Sequence, residues 1–318
     1  MHEIHEQVAP GIHAIDTGYV RPRLDASHLL VDSGRAAFVD TGTSHSVPRL
    51  LQTLRDNDLD RGDVDYIFLT HIHLDHAGGA GALARELPNA QVVVHPRGAR
   101  HMVDPSKLIA GTIAVYGEDR YRELYGELVP IAAGRIVEST DDSVLTVGGR
   151  QLRLIDTPGH ALHHYSLIDE AHALAFTGDT FGVSYRETDT AAGPFIFPTT
   201  TPVHFDPGQL HDSIDRIMSY EPASVLLTHY SRVDDTSRLA SELHRDIDVY
   251  VAMAQEHADS DDRTRLLHEA MFAHFSQRLD AHGFEGNSEN RHAILDMDIN
   301  LNVQGLEVWL TRLAKKSA

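Results

Sequence analysis

Three histidines and an aspartate lie within residues 71–76, which read His-Ile-His-Leu-Asp-His. This segment directly follows residues 64–70, a short apolar run with the composition of a β-strand. On an extended start His71 and His73 point to the same side, and the turn that follows can present the other two ligands to a second point. Imidazole suits zinc, iron and nickel, and carboxylate suits harder ions. The segment therefore predicts a metal site.

The pattern His-x-His-x-Asp-His after a strand, followed by Gly78-Gly79, resembles the signature of the metallo-β-lactamase superfamily. That family has three further ligands in a set order, each at the end of a strand. The chain offers His160, Asp179 and His229 in that order, each after an apolar run. Pro158-Gly159 is a turn pair that ends the strand before His160.

The resemblance implies two metal positions and a set of seven ligands. The first position takes His71, His73 and His160, the second takes Asp75, His76 and His229, and Asp179 bridges them. Two divalent cations follow from it, zinc by default, with iron and manganese as alternatives. A hydroxide between the metals is the implied nucleophile, and Asp75 has the catalytic role of orienting it. Because the chain has no cysteine, members that use cysteine as a metal ligand are excluded, and Asp75 takes that place.

Residues near these motifs are candidates for supporting roles. Asp40, in Asp40-Thr41-Gly42, corresponds in the resembled family to a carboxylate beneath the metal site, and a simple turn is the alternative. His164 is either a hydrogen-bonding support for the ligands or a packed residue. The candidate substrate contacts are aromatic or histidine residues, each with packing as its alternative: Tyr185, Phe195, Phe197, His204 and Tyr230.

The composition excludes several classes of partner. The 318 residues carry a formal net charge of −20, whereas a protein that grips phosphate backbones needs a basic face. We therefore predict no nucleic-acid and no membrane partner, and a small-molecule substrate; a homodimer stays open. The start of the chain has neither a basic segment nor an apolar segment typical of a secretory signal, so we predict a cytoplasmic protein.

Alternating strand and helix patterns predict an α/β fold for residues 1–231. The resemblance makes this an αββα metallo-β-lactamase sandwich that binds the metals. Residues 232–318 contain no convincing strand and form a C-terminal helical domain that we expect to shape the substrate pocket. Its apolar stripes at helical spacing are Leu239, Leu243, Ile247 and Val251, then Leu267, Met271, Phe275 and Leu279, then Leu306, Trp309, Leu310 and Leu313.

The fold alone does not fix the reaction, because thioesterases, lactonases, β-lactamases, phosphodiesterases and oxidoreductases share this kind of site. Residues 232–318 hold ten basic and sixteen acidic residues, which disfavours a clamp for RNA. We therefore favour a dinuclear metallo-hydrolase that attacks a carboxylic thioester or an ester or lactone.

Three alternatives remain. The first is a persulfide dioxygenase with a single iron, held by His71, His160 and Asp179. The second is a phosphodiesterase. The third is a non-enzymatic binding or regulatory member of the fold, in which the metal site has lost its catalytic role.

Overall fold

The computed structural model describes residues 4–200 and 202–317, in which the chain forms thirteen strands and ten α-helices. Residues 1–3, on which the predicted lack of a secretory signal partly depends, lie outside the described residues. The strands are β1 His5–Ala9, β2 Ile12–Asp16, β3 Ala26–Asp32, β4 Arg35–Val39, β5 Val64–Leu69, β6 Gln91–Val94, β7 Ile136–Glu138, β8 Val144–Val147, β9 Arg150–Asp156, β10 Tyr165–Asp169, β11 Leu174–Gly178, β12 Ser224–Leu227 and β13 Ser231–Val233. The helices are α1 Val47–Asp56, α2 Leu74–Ala77, α3 Ala80–Glu86, α4 Pro96–Val103, α5 Ser106–Tyr116, α6 Glu118–Tyr125, α7 Pro207–Met218, α8 Thr236–Glu256, α9 Arg263–His282 and α10 Ser288–Ser317.

The strands form two sheets that pack face to face. The first sheet has the order β1 to β7, antiparallel from β1 to β4 and parallel from β4 to β7. The second has the order β13-β12-β11-β10-β9-β8, with β11 and β12 as its parallel pair. Buried side chains from both sheets, such as Phe68, Val93, Tyr165 and Phe176, form one apolar cluster between them.

Helices cover the outer face of each sheet because each has one apolar side. In α1, Pro48 occupies an early position where no backbone donor is lost, and Leu50, Leu51 and Leu54 are buried against the first sheet. The second sheet is covered by α7 together with the C-terminal helices. The fold is thus an αββα sandwich with a C-terminal helical extension, as the sequence predicts.

The helical extension shares its core with the sandwich. Phe181 and Ile214 of the sandwich belong to the same buried cluster as Leu243, Phe275 and Leu306 of the extension. The predicted start of an all-helical segment at residue 232 is wrong by a few residues, because β13 continues to Val233 and pairs with β12. Within the described residues, no helix is both long enough and apolar enough to cross a membrane.

Candidate metal centre

The predicted ligands meet at one edge of the sandwich because each follows a strand. His71 and His73 follow β5 of the first sheet, whereas His160, Asp179 and His229 follow β9, β11 and β12 of the second. Strands of both sheets therefore end around the same point, and the turns after them carry the polar side chains.

The first group of ligand atoms comes from His71, His73, His160 and Asp179, which all lie within 4.8 Å of one another. Nε2 of His71 is 2.8 Å from Nδ1 of His73, and Nε2 of His160 is 3.1 Å from the same atom. Oδ2 of Asp179 is 3.5 Å from Nε2 of His160. Three ring nitrogens and a carboxylate oxygen that converge in this way form a donor set typical of a zinc or iron site.

The second group comes from Asp75, His76 and His229, again within 4.8 Å. Oδ2 of Asp75 lies 3.6 Å from Nε2 of His229 and 3.9 Å from Nε2 of His76. Both histidines are buried, whereas the Asp75 side chain keeps 24% exposure. Asp75 is thus the member of this group that faces the solvent.

Asp179 lies between the two groups. Its Oδ2 faces His160, and its Oδ1 lies 3.2 Å from Nε2 of His76 and 3.7 Å from Nε2 of His229. Although these atoms are close, no hydrogen bond joins them, and both Oδ1 of Asp179 and Nε2 of His76 are buried without a hydrogen-bond partner. Buried polar atoms without partners are costly, and a bound cation would satisfy both. The residues therefore fit the metals that the sequence predicts.

When the protein side chains alone are considered, histidines of the first and the second group of ligands have pKa values shifted in opposite directions. Burial, followed by the neighbouring histidines, holds the pKa of His71 well below its usual range; burial also lowers the pKa of His160, although nearby Asp179 opposes this. Burial works against the charged form of His76 too, but the carboxylates of Asp179, Asp75 and Asp40 outweigh it and raise its pKa well above normal. The first group thus offers neutral nitrogens, and cations must displace protons from the second.

Asp40 supports the second group from below, with its backbone in the left-handed region at φ +55°. Its Oδ2 accepts hydrogen bonds from Nδ1 of His76 at 2.9 Å and from the hydroxyl of Thr228 at 2.8 Å. Its Oδ1 accepts the backbone N–H of Thr70 at 2.8 Å. The bond to Nδ1 fixes the ring so that Nε2 faces the ligand cluster. The sequence analysis missed Thr70 and Thr228, although each directly precedes a ligand histidine.

His164 holds the backbone of Asp179. Its Nε2 accepts the N–H of Asp179 at 3.3 Å, so its Nδ1 carries the proton and faces the hydroxyls of Thr157 and Thr180 at 2.9 and 3.1 Å. Gly178 has φ +48°, and a Cβ there would come within 2.6 Å of His164 Nε2. Glycine is therefore required beside this contact.

Of the predicted substrate residues, Phe195, Phe197 and Tyr230 are buried, whereas His204 is partly exposed. Phe195 and Phe197 are buried in the core shared with the helices, where Phe197 packs on Phe275 with ring centroids 5.0 Å apart. These two rings therefore anchor their loop. Tyr230 is also buried, and burial raises its pKa to about 12. His204 is partly exposed, and its ring lies 6.2 Å from His163.

Tyr185 makes a contact that the sequence did not predict. Its hydroxyl lies 3.0 Å and 3.2 Å from the two carboxylate oxygens of Asp298 in α10, and the Arg21 guanidinium lies 4.5 Å from its ring centroid. Burial raises the pKa of Asp298 to about 6, and the charge of His229 acts on the same carboxyl. The backbone N–H of Ser184, which precedes Tyr185, donates to the carbonyl of His229 at 2.6 Å, so Tyr185 connects the helical extension to the second group of ligands.

A second residue of α10 holds the loop beside His160. Oδ1 of Asn302 accepts the N–H of Thr200 at 2.7 Å, and the Thr200 hydroxyl donates to the Asn302 carbonyl at 2.8 Å. The preceding carbonyl, of Thr199, lies 3.5 Å from Nδ1 of His160. A signal for these residues exists in the sequence, because Asp298 and Asn302 interrupt the apolar stripe of α10 at helical spacing.

Asp25 is a further buried acid beside the centre that the sequence analysis missed. Its Oδ2 accepts the hydroxyl of Thr17 at 2.8 Å, its other oxygen has no partner, and burial raises its pKa to about 7. The neighbouring carbonyl, of Leu24, lies 2.9 Å from Nδ1 of His229 and orients that ring.

Comparisons with known proteins show the family of this chain and agree with its fold. A family model described as the metallo-beta-lactamase superfamily matches residues 21–229. A metallo-beta-lactamase fold-containing protein of Sulfurisphaera tokodaii is 29% identical over 69% of this chain and 78% of its own length. A hydroxyacylglutathione hydrolase of Acidiphilium cryptum is 25% identical over 72% of this chain and 73% of its own. The crystal structure of a metallo-beta-lactamase family protein from Thermus thermophilus superposes with a TM-score of 0.66, at 20% identity, over 97% of this chain and 95% of that one.

Proposed function

Because the chain belongs to the metallo-beta-lactamase superfamily, we propose that it is a metallo-hydrolase of a carboxylic thioester or an ester, lactones included. Most members of the superfamily are metallo-hydrolases, and several relatives of this chain are named hydroxyacylglutathione hydrolase. Such a relative cleaves a thioester, which supports this bond type over a phosphodiester. The substrate we propose is a small molecule.

One observation carries the proposal: two groups of ligand atoms share Asp179, which turns one oxygen toward each. A site for a single ion needs only the first group. The complete second group, Asp75 with His76 and His229, supports two metal ions over the single iron of a dioxygenase. We propose zinc as the native ion.

Two bound divalent cations would lower the pKa of water toward ~7 and polarise the substrate carbonyl. The residues of the chain then have separate tasks. The histidines of the first group supply neutral nitrogens, and Asp179 supplies an oxygen to each side. The pKa of Asp75 is about 2, because His76 and His229 outweigh the effect of burial, so its carboxylate is ionised at neutral pH. We propose that this partly exposed carboxylate orients the attacking water by accepting a hydrogen bond.

The decisive experiment pairs metal analysis with a substrate panel. Protein purified without added metal should contain close to two metal ions per chain, and it should hydrolyse thioesters or lactones faster than phosphodiesters. Asp75→Asn keeps the size of the side chain but removes its charge. The factor by which turnover falls should therefore be at least ten times the factor by which the affinity for substrate falls. One iron per chain with oxygen uptake on a persulfide would instead assign the protein to the dioxygenases.

We further propose that the helical extension, residues 232–318, shapes the substrate pocket of the catalytic unit, residues 1–231. The contacts of Asp298 with Tyr185 and of Asn302 with Thr200 support this, since both reach loops beside the ligands. Asp298→Asn should change the ranking among acyl groups and leave the metal content intact. Asp296→Asn is the matched control, because Asp296 lies on the same helix but pairs with His292 at the surface. Equal acyl rankings for both variants and the parent protein would refute a pocket role for α10.

A further inference from the structure

Two histidines meet between α7 and α8, outside the centre described above. His211 of α7 and His244 of α8 approach until their Nδ1 atoms are 2.6 Å apart. The ring planes are within 6° of each other, and the centroids lie 4.9 Å apart. The centroid separation is longer than the nitrogen–nitrogen distance by about twice the distance from the centre of an imidazole ring to its own nitrogen, as expected when the two nitrogens lie on the line between the centroids. The rings are therefore edge to edge, with the two nitrogens facing each other.

The outer nitrogen of each ring faces a carboxylate on the opposite helix. Nε2 of His211 lies 3.2 Å from Oδ1 of Asp248, and Nε2 of His244 lies 3.1 Å from Oδ1 of Asp215. Each helix thus supplies a histidine and, one turn later, an aspartate, and the two pairs cross. Where His211 donates its Nε2–H to Asp248, its Nδ1 lone pair is free, which is the arrangement that metal-binding histidines adopt; Asp215 lies within ion-pair distance of His244.

A candidate ligand of the central site has a similar arrangement. Nε2 of His160 lies 3.1 Å from Nδ1 of His73, while the far nitrogen of His160, Nδ1, lies 3.5 Å from the carbonyl of Thr199. Two Nδ1 lone pairs that face each other repel unless a proton or a metal ion lies between them, and a metal ion can replace such a proton. The two carboxylates also give this surface a negative charge that attracts a divalent cation.

We propose that His211 and His244 form a second metal site, which binds one divalent transition-metal ion and links α7 to α8. Zinc, nickel and copper are the ions that imidazole suits. A tetrahedral zinc ion, with bonds of about 2.0–2.1 Å, holds two nitrogens roughly 3.3 Å apart. The rings therefore need to separate by less than ~1 Å and to tilt until both lone pairs point at the ion, for which side chains with 27% and 28% exposure have room. Water completes the coordination.

The test is a zinc titration by calorimetry of full-length protein that already holds its tightly bound metals and has been freed of excess ion. The parent protein should bind one additional zinc ion, and His211→Gln, His244→Gln and the double variant should bind it at least tenfold more weakly. His292→Gln is the control, because His292 also pairs with a carboxylate, Asp296, at 2.8 Å at the surface but has no second histidine. It should bind zinc like the parent.

The central metal content of each variant shows whether it has folded correctly. A second measurement needs no variant. One equivalent of Cu²⁺ is added to parent protein that holds only its tightly bound metals, and the electron paramagnetic resonance spectrum of the copper should show nitrogen hyperfine coupling from two imidazoles. The proposal is overturned if the parent binds no additional ion, if the double variant binds it with parental affinity, or if the copper spectrum lacks coupling to two nitrogens.

Discussion

The support that Asp40 gives to His76 can be tested with one isosteric change, Asp40→Asn. The carboxylate accepts a backbone N–H from Thr70 on one oxygen and the Nδ1 proton of His76 on the other. An asparagine has one oxygen, so its NH₂ group must face one of these two donors. Hydroxyl neighbours such as Thr228 can rotate, but the backbone N–H of Thr70 cannot.

The two orientations of the amide have different consequences. If the NH₂ group faces Thr70, a buried backbone donor loses its acceptor, and the free energy of unfolding should fall by about 1–3 kcal/mol. If the NH₂ group faces His76, the ring must accept at Nδ1 and carry its proton on Nε2, the atom that should bind metal. Metal affinity at the second group should then fall by about 10–100-fold.

Both quantities are measurable on the same protein. Denaturant unfolding gives the stability, and competition with a coloured chelator gives the affinity for the weaker-bound zinc ion. Thr228→Val is the control, because it removes one hydrogen bond to Asp40 and leaves the bond to His76; it should cost about 1 kcal/mol and keep the affinity within a few-fold. If Asp40→Asn changed neither stability nor zinc affinity, the proposed role of Asp40 would be refuted.

Three other changes test separate parts of the structure. Asp179→Ala removes the oxygens that face both groups, so metal content and hydrolysis should both collapse, and further than for any single histidine variant; two retained metals would exclude a bridging role. Phe275→Ala should destabilise the whole chain by about 3–5 kcal/mol in one cooperative transition, whereas separate transitions would argue against a shared core. The pKa of Asp298 is about 6 in the folded protein, whereas its ordinary value is 3.8. The folded protein therefore binds this proton more tightly than the unfolded chain does. The stability that the proton contributes is lost as the pH rises from about 4 to 6. The free energy of unfolding of the parent relative to Asp298→Asn should fall by about 2–3 kcal/mol over that range, and a flat difference would contradict the assignment.

The sequence predicted the strand before His71 and the helices of the extension because both depend on local patterns. The strand follows from its apolar composition, and α8, α9 and α10 follow from apolar residues at helical spacing. The candidate ligand side chains lie together because five of them follow strands that end at the same edge of the sandwich, and Asp75 and His76 lie on α2 just after His73.

The contacts of α10 could not be predicted because they join residues about a hundred positions apart. Asp298 meets Tyr185, and Asn302 meets Thr200, only through the packing of three long helices on the second sheet. Their polarity within an apolar stripe was the available signal, but it does not say which loop they meet. The roles of Phe195 and Phe197 depended on burial in the same way, since an aromatic residue in a loop can face either a pocket or a core.

The shared core limits how this protein could change during evolution. Phe181 and Val183 lie shortly after Asp179 in the chain, and they pack in the same cluster as Leu243 and Phe275 of the extension. A helical extension transplanted from a relative would therefore disturb the segment that carries Asp179. New specificities should arise here by single substitutions along the inner face of α10, and not by exchange of the extension as a unit.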